Sequence, residues 1–267
     1  TFSKRRNIRD LINIPGIAML LDGKLINTGY ENQIPKEDIY DIDWNDLEAA
    51  SDINQFIEKA FNEEGESKNT SFKKDPRTYE SHRRDKTIAS LPAAKGCVAR
   101  CTFCHRFTQG IRYIPIDILE KRVLDLIKNY NVGFLYIVDE NFGTDVRWLY
   151  EFSALMKRHD LLWRVSGMRV NTATPEKLQL MKTSGCTTAI YGMETGSPTM
   201  LKIMEKRVKI EDNYNAIKWT VEAGLSTTIQ LVIGMPGETP ETIAETSRFA
   251  QYGLTIKPDQ SPNNISI

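Results

Sequence analysis

Cysteine is scarce in this chain of 267 residues: there are four, too few for a disulfide scaffold. Net charge is missing altogether, because 35 lysines and arginines balance 35 aspartates and glutamates. Nothing electrostatic therefore argues for a nucleic-acid or membrane-surface partner. Long apolar runs are absent too, and stretches such as Ile17-Ala18-Met19-Leu20-Leu21 fall far below the ~20 residues that cross a bilayer. No basic, apolar, small-residue leader opens the chain, and no initiator Met, so a trimmed polypeptide is expected. What remains is an ordinary globular composition, 40% hydrophobic and 26% charged. It is enough for one large domain, or for one domain with an appendage.

The texture changes along the chain. Residues 1–86 are irregular and rich in charge and amide, and form the expected N-terminal connector or arm. Within them Ile14–Leu21, Asp22-Gly23 and the residues from Lys24 read as strand, turn and return strand. Residues 44–61 read as a short helix, and 62–86 as an exposed linker. From Thr87 a strand–helix rhythm begins. β-rich runs recur at 87–92, 133–139, 162–170, 186–193, 227–233 and 263–267, with helical faces between them at Ile116, Leu119, Val123, Leu126 and Ile127, and at Leu149, Phe152, Leu155 and Met156. Thr174-Pro175 and Thr239-Pro240 start helices, and Gly185 and Gly224 stop them. Such alternation implies parallel strands joined by crossover helices.

Six strands are too few for a full eight-stranded barrel. They fit an open or partial barrel, or a doubly wound sheet; the expected fold is α/β, a partial (β/α)6 barrel of parallel strands behind an irregular α+β connector. In either architecture the site lies at the carboxyl ends of the strands. The chain stops inside its final strand, so 87–267 is expected to be a core domain truncated at the sixth strand.

Three of the four cysteines stand together as Cys97-Val98-Ala99-Arg100-Cys101-Thr102-Phe103-Cys104, directly after the first barrel strand. Three thiolates on one tight loop suit an iron–sulfur cluster or zinc, in a reducing compartment. Three ligands leave one iron of a four-iron cluster open to substrate or cofactor. Zinc needs a fourth ligand: His105 adjoins Cys104 too closely to share a metal comfortably, and Cys186 begins a later strand. Cys186 reads as a small core residue.

The C-x3-C-x2-C spacing, with an aromatic before the last Cys, resembles the radical S-adenosylmethionine (SAM) superfamily, over residues 87–267. The resemblance implies that Cys97, Cys101 and Cys104 hold a four-iron four-sulfur cluster whose open iron chelates SAM. An electron from the cluster then cleaves SAM to methionine and a 5′-deoxyadenosyl radical. It also implies that Phe103 packs near the adenine, and that Asp139, Glu140 and Asn141 stand where the family has a Gly-Gly-Glu-type segment for the SAM ammonium. Arg169 would pair with the SAM carboxylate; Glu194, in Gly192-Met193-Glu194-Thr195-Gly196, would face the ribose or the methionine end. Gly234 and Pro236 would flank the adenine. Each has a plainer competitor: a capping turn at 139–142, an exposed ion pair for Arg169, a glycine-rich loop around Glu194, a turn and helix start at 234–238.

Residues 17–26 resemble the connector between a cobalamin-binding domain and the radical domain of class B radical SAM methyltransferases. Cobalamin is thus a further candidate cofactor, although the ligating D-x-H-x-x-G motif is absent and His82, His105 and His159 do not stand in that context. The resemblance further implies a cytoplasmic enzyme with a small-molecule substrate and an electron donor such as flavodoxin or ferredoxin. The alternative from another class is a non-catalytic iron–sulfur or metal-binding module.

Overall fold

A computed structural model describes residues 8–29, 50–52, 56–105, 110–256 and 263–267. Two compact units emerge, Thr1–Ile42 and Asp43–Ile267. In the first, β1 (Ala18–Leu21) and β2 (Lys24–Asn27) pair antiparallel. Asp22 and Gly23 between them have φ of 49° and 75°, the left-handed pair that a two-residue turn of this hand requires.

The second unit is built on one sheet. Its strands are β3 (Glu58–Lys59), β4 (Thr87–Leu91), β7 (Val132–Phe142), β8 (Leu162–Met168), β9 (Cys186–Glu194), β10 (Ser226–Leu231) and β11 (Asn264–Ser266), while β5 (Ala94–Lys95) and β6 (Arg112–Tyr113) pair separately. The order is β11-β10-β9-β8-β7-β4-β3. From β4 to β11 all neighbours are parallel and follow the order of the sequence; only β3 is antiparallel. The result is a curled half-barrel with an antiparallel edge, and the expected partial barrel is the fold.

The helices are α1 (Thr70–Lys73), α2 (Ile116–Tyr130), α3 (Val146–Arg158), α4 (Pro175–Thr183), α5 (Pro198–Ile203), α6 (Ile210–Glu222) and α7 (Pro240–Thr255). Thr174 and Thr239 cap α4 and α7 with their side chains, and a proline follows each. Gly185, with φ of 104°, turns the chain from α4 into β9. A Cβ there would lie 2.1 Å from the Leu161 carbonyl oxygen, so only glycine passes.

Strand alternation sorts the core into two layers. Trp163 points outward against Phe152 of α3, at 5.2 Å between ring centroids, in an aromatic cluster with Phe142 and Trp148. Leu162 points inward, into a separate core of Ala60, Phe72, Ile88, Phe134 and Tyr136.

That inner core corrects the reading of 62–86 as an exposed linker. The segment plugs the foot of the half-barrel: Phe72 is fully buried and stacks on Tyr136, with ring centroids 5.8 Å apart. Its charges are structural. Arg77 donates to the Lys182 and Cys186 carbonyls and to Asp75, and Lys182 also bonds Asp75 at 2.8 Å. Burial works to raise the Asp75 pKa, but the Arg77 and Lys182 hydrogen bonds outweigh it and hold it at about 2. Arg83, also buried, donates to the Asp160 carbonyl at 2.6 Å. Half of the helix expected over 44–61 lies outside the described residues, and in the described half Glu58–Lys59 is a strand.

Candidate functional site

At the carboxyl ends of the parallel strands lies a cavity of about 180 Å³ lined by Cys97, Ala99, Cys101, Phe103, Cys104, Glu140, Gly167, Met168, Arg169, Gly192, Glu194, Lys206 and Gln230. Seven of the residues singled out from sequence line it: the three loop cysteines, Phe103, Glu140, Arg169 and Glu194. Asp139 and Asn141 sit beside it at the end of β7, while Gly234 and Pro236 are not in its wall. Sequence reasoning missed Lys206, Gly167 and Gln230, whereas Gly192 stood in the segment quoted around Glu194.

The cysteine loop leaves β5 and is fastened to the segment after α5, where the Thr102 amide donates to the Met204 carbonyl at 3.0 Å. All four cysteines are free thiols. Three N–H groups aim at loop sulfurs: Ala99 at Cys97 Sγ (3.4 Å), Asn141 Nδ2 at Cys97 Sγ (3.6 Å), and Arg169 Nη1 at Cys101 Sγ (3.7 Å). The Cys104 thiol is raised by burial first, then by Cys101 and Cys97, with Lys206 opposing. Cys186 is remote from this group and fully buried at the foot of β9; burial pushes its thiol up to about 12. Among the described residues no three His, Cys, Asp or Glu side chains converge on a single ion, whereas a four-iron cluster asks each thiolate for a separate iron.

Opposite the loop stands a buried ion pair. Glu194 accepts from Lys206 Nζ at 2.6 Å, with both side chains at least nine-tenths buried. Backbone geometry sets this up. Glu194 has φ of 66°, a left-handed conformation that is costly for a side-chain-bearing residue. Asn213 Nδ2 holds the turn by donating to the carbonyls of Met193 and Thr195. Glu205 and Arg207 are left-handed too, with φ of 49° and 54°, and the Lys206 amide between them donates to the Leu201 carbonyl at 3.0 Å. The Lys206 carbonyl accepts from Arg169 Nη2, and its ammonium stands 5.8 Å from the Phe103 ring centroid.

Two glycines make room. A Cβ on Gly192 would meet Glu194 Oε1 at 2.5 Å, and one on Gly167, with φ of 78°, would meet the Asp139 carbonyl oxygen at 1.8 Å. Asp139 itself accepts the Ala93 and Ala94 amides at 2.8 and 2.9 Å through Oδ1. Its Oδ2 is buried without a partner. Burial raises its pKa to about 7, against the pull of those two amides. The Asn141 Oδ1 is likewise buried and unpartnered.

These residues fit a thiolate-held cluster with a zwitterionic cofactor beside it. Three free thiols share one loop, N–H donors face two of the sulfurs, and charges of both signs converge on one cavity. Comparison with known proteins points the same way. The sequence model of the Radical SAM superfamily matches residues 91–250. An anaerobic magnesium-protoporphyrin IX monomethyl ester cyclase of Rubrivivax gelatinosus is 29% identical over 174 residues, covering 62% of this chain and 31% of that protein. The cobalamin-dependent SAM radical enzyme OxsB, solved with aqua-cobalamin and SAM bound, matches with a TM-score of 0.65 at 17% identity, covering 100% of this chain and 35% of OxsB. The radical SAM methyltransferase TsrM from Kitasatospora setae, with cobalamin and a [4Fe-4S] cluster bound, gives 0.63 at 18%, covering 99% of this chain and 48% of TsrM. At such identities the two structures establish a common fold. The chain spans about a third of the length of the curated relatives it matches.

Proposed function

The chain belongs to the radical SAM superfamily, and from that premise we propose that it is the catalytic core of an enzyme that cleaves SAM reductively at a four-iron four-sulfur cluster on Cys97, Cys101 and Cys104. The observation that carries the proposal is the single cavity in which these thiols meet Phe103, Glu140, Arg169, Glu194 and Lys206. When bound, the cluster supplies the electron that breaks SAM into methionine and a 5′-deoxyadenosyl radical. The rest falls to the chain's own side chains. Arg169 and Lys206 meet the carboxylate of SAM and Glu194 meets a hydroxyl or the ammonium, while Glu140 and the Asn141 oxygen offer further acceptors. Phe103 covers the adenine. N–H donors from Asn141, Ala99 and Arg169 stabilise thiolate over thiol and tune the cluster's potential. Gly234 and Pro236 take part only if the loop after β10 closes inward.

The branch we propose is the cobalamin-dependent one, with methyl transfer to carbon as the reaction. What supports it is the alignment of essentially the whole chain, including residues 1–86, with OxsB and TsrM. In this reading residues 1–86 follow a cobalamin-binding domain and 87–267 form the radical core. A flavodoxin or ferredoxin in the cytoplasm supplies the electron. No helix among the described residues is long and apolar enough to cross a membrane. The non-catalytic alternative has nothing in its favour, because a cluster holder needs no cavity walled by buried charges.

The test is anaerobic reconstitution with iron and sulfide, followed by reduction in the presence of SAM. About four irons per chain and formation of 5′-deoxyadenosine are expected. Protein that takes up a full cluster and yet leaves SAM intact would refute the catalytic reading. Corrin absorption in the full-length protein, purified after growth with cobalamin, tests the branch.

A further inference from the structure

Below the cavity, the inner wall of the half-barrel carries a cation that forms no salt bridge among the described residues. On β8 the inward residues are Leu162, Arg164 and Ser166, after which the register shifts before Met168. Leu162 joins the dry plug at the foot and Met168 lines the cavity at the top. Arg164 lies between, its guanidinium 4.1 Å from the Tyr136 ring centroid. Its Nε is buried and has no hydrogen-bond partner, and it forms no ion pair among the described residues. Glu58, whose charge reaches it, is instead the acceptor of Tyr136 Oη at 3.4 Å. Burial draws the Arg164 pKa down, with Tyr136 and Glu58 opposing.

A half-buried guanidinium with a bare Nε and no salt bridge is unfavourable, and stacking on Tyr136 offsets only part of that. The surroundings separate ligand from packing. At and below this level the plug is tight, with Phe72, Phe134 and Leu162 buried. Just above it the wall opens. Val138, paired with Ser166 in the sheet, is 43% exposed, and Ser166 and Thr228 are half-buried hydroxyls. Arg164 is therefore the charged floor of an open, hydroxyl-lined lumen whose roof is the site of radical formation. Four residues of strand separate it from Met168, about 13 Å along the wall.

We propose that Arg164 is the substrate anchor: it binds a carboxylate of the substrate and so places a carbon on the order of 10 Å away under the cavity. A single guanidinium stacked on an aromatic ring matches one negative charge and a planar, two-oxygen acceptor. The inference rests on the proposed function only for what the lumen is used for; the anion site itself does not depend on it.

The test compares the reconstituted chain with Arg164→Met, which keeps the stem and its contact with Tyr136. Thermal melts and calorimetric titrations use hexanoate, with hexylamine and hexanol as controls. Hexanoate alone is expected to raise the melting temperature of the wild type. Arg164→Met is expected to bind hexanoate at least about tenfold more weakly, as for loss of a charge-assisted contact. Without ligand the variant should melt no lower than wild type, since a half-buried charge with no salt bridge and a bare Nε has been removed. A variant that melts clearly lower would make the arginine structural and overturn the proposal. So would equal responses of the two proteins to hexanoate, or none in either. Iron content and 5′-deoxyadenosine formation on the same wild-type preparation test the radical SAM reading separately.

Discussion

Gly192→Ala is a one-methyl change with a consequence that the structure lets us size. Gly192 is the inward residue two before Glu194, and its φ is not in the left-handed region, so alanine fits the backbone. The new Cβ would stand 2.5 Å from Glu194 Oε1 and 3.3 Å from Lys206 Nζ. Neither atom is backbone, so the chain has no need to move; the carboxylate swings away and its 2.6 Å bond to Lys206 lengthens or breaks. A hydrogen bond between charged groups is worth about 1.5–3 kcal/mol. If SAM binding needs that pair as placed, affinity should fall by roughly 10- to 150-fold. Folding stability should fall by that bond's worth less the about 0.4–1 kcal/mol that alanine gains by restricting the unfolded strand, a net loss of about 0.5–2.6 kcal/mol. Iron content, thermal melting and equilibrium SAM binding, measured on one reconstituted sample, separate these effects. A SAM affinity within twofold of wild type would show that the Glu194–Lys206 pair does not form the cofactor's wall. Gly167→Ala, at φ of 78° and 1.8 Å from a backbone oxygen, makes the contrast: it should fail at the level of folding.

Four further outcomes are expected. Ala at Cys97, Cys101 or Cys104 should abolish iron binding, whereas Cys186→Ala should keep a full complement by iron and sulfide analysis. Phe72→Ala should lower stability by about 3–5 kcal/mol in denaturant titrations, because this ring fills the plug and is fully buried. Asp139, with a folded pKa of about 7 against an ordinary 3.8, is favoured by folding as the neutral acid. Its contribution is thus full below about pH 4 and is lost as pH rises through about 7, so Asp139→Asn should flatten the stability profile there. Asp75 runs the other way: held at about 2, it stabilises above pH 3.8 and loses that contribution as pH falls through about 2, and Asp75→Asn should remove that acid limb.

The half-barrel was legible because its signals are local. The Thr-Pro pairs at 174 and 239 and the alternating apolar strands each carry their structure within a few residues, and the cysteine spacing does the same for the loop. The plug was not legible. Between Asn62 and Asp85 polar residues outnumber apolar ones, and nothing nearby shows that Arg77 will meet carbonyls more than a hundred residues later, or that Phe72 will seal a core. Lys206 was hidden for a related reason. In Glu205-Lys206-Arg207 it looks like one more solvated charge, and only the left-handed backbone on either side turns it inward. Gly234 and Pro236 illustrate the reverse limit, since their motif predicts a loop faithfully without saying where the loop goes.

The plug also imposes an order on biosynthesis. Ser71 leaves the ribosome well ahead of its partner, because the hydroxyl that bonds its carbonyl belongs to Thr188, 117 residues downstream. At ~5–20 residues per second that partner emerges roughly 6–23 s later. Lys182 and Cys186, whose carbonyls receive Arg77, follow it by 105 and 109 residues and come only slightly sooner. Through that interval Phe72 has no finished barrel to enter, and its apolar surface is available to chaperones or to neighbouring nascent chains. Slowing translation before codon 188 should therefore lengthen the vulnerable stage, whereas slowing it after that codon should spare the plug.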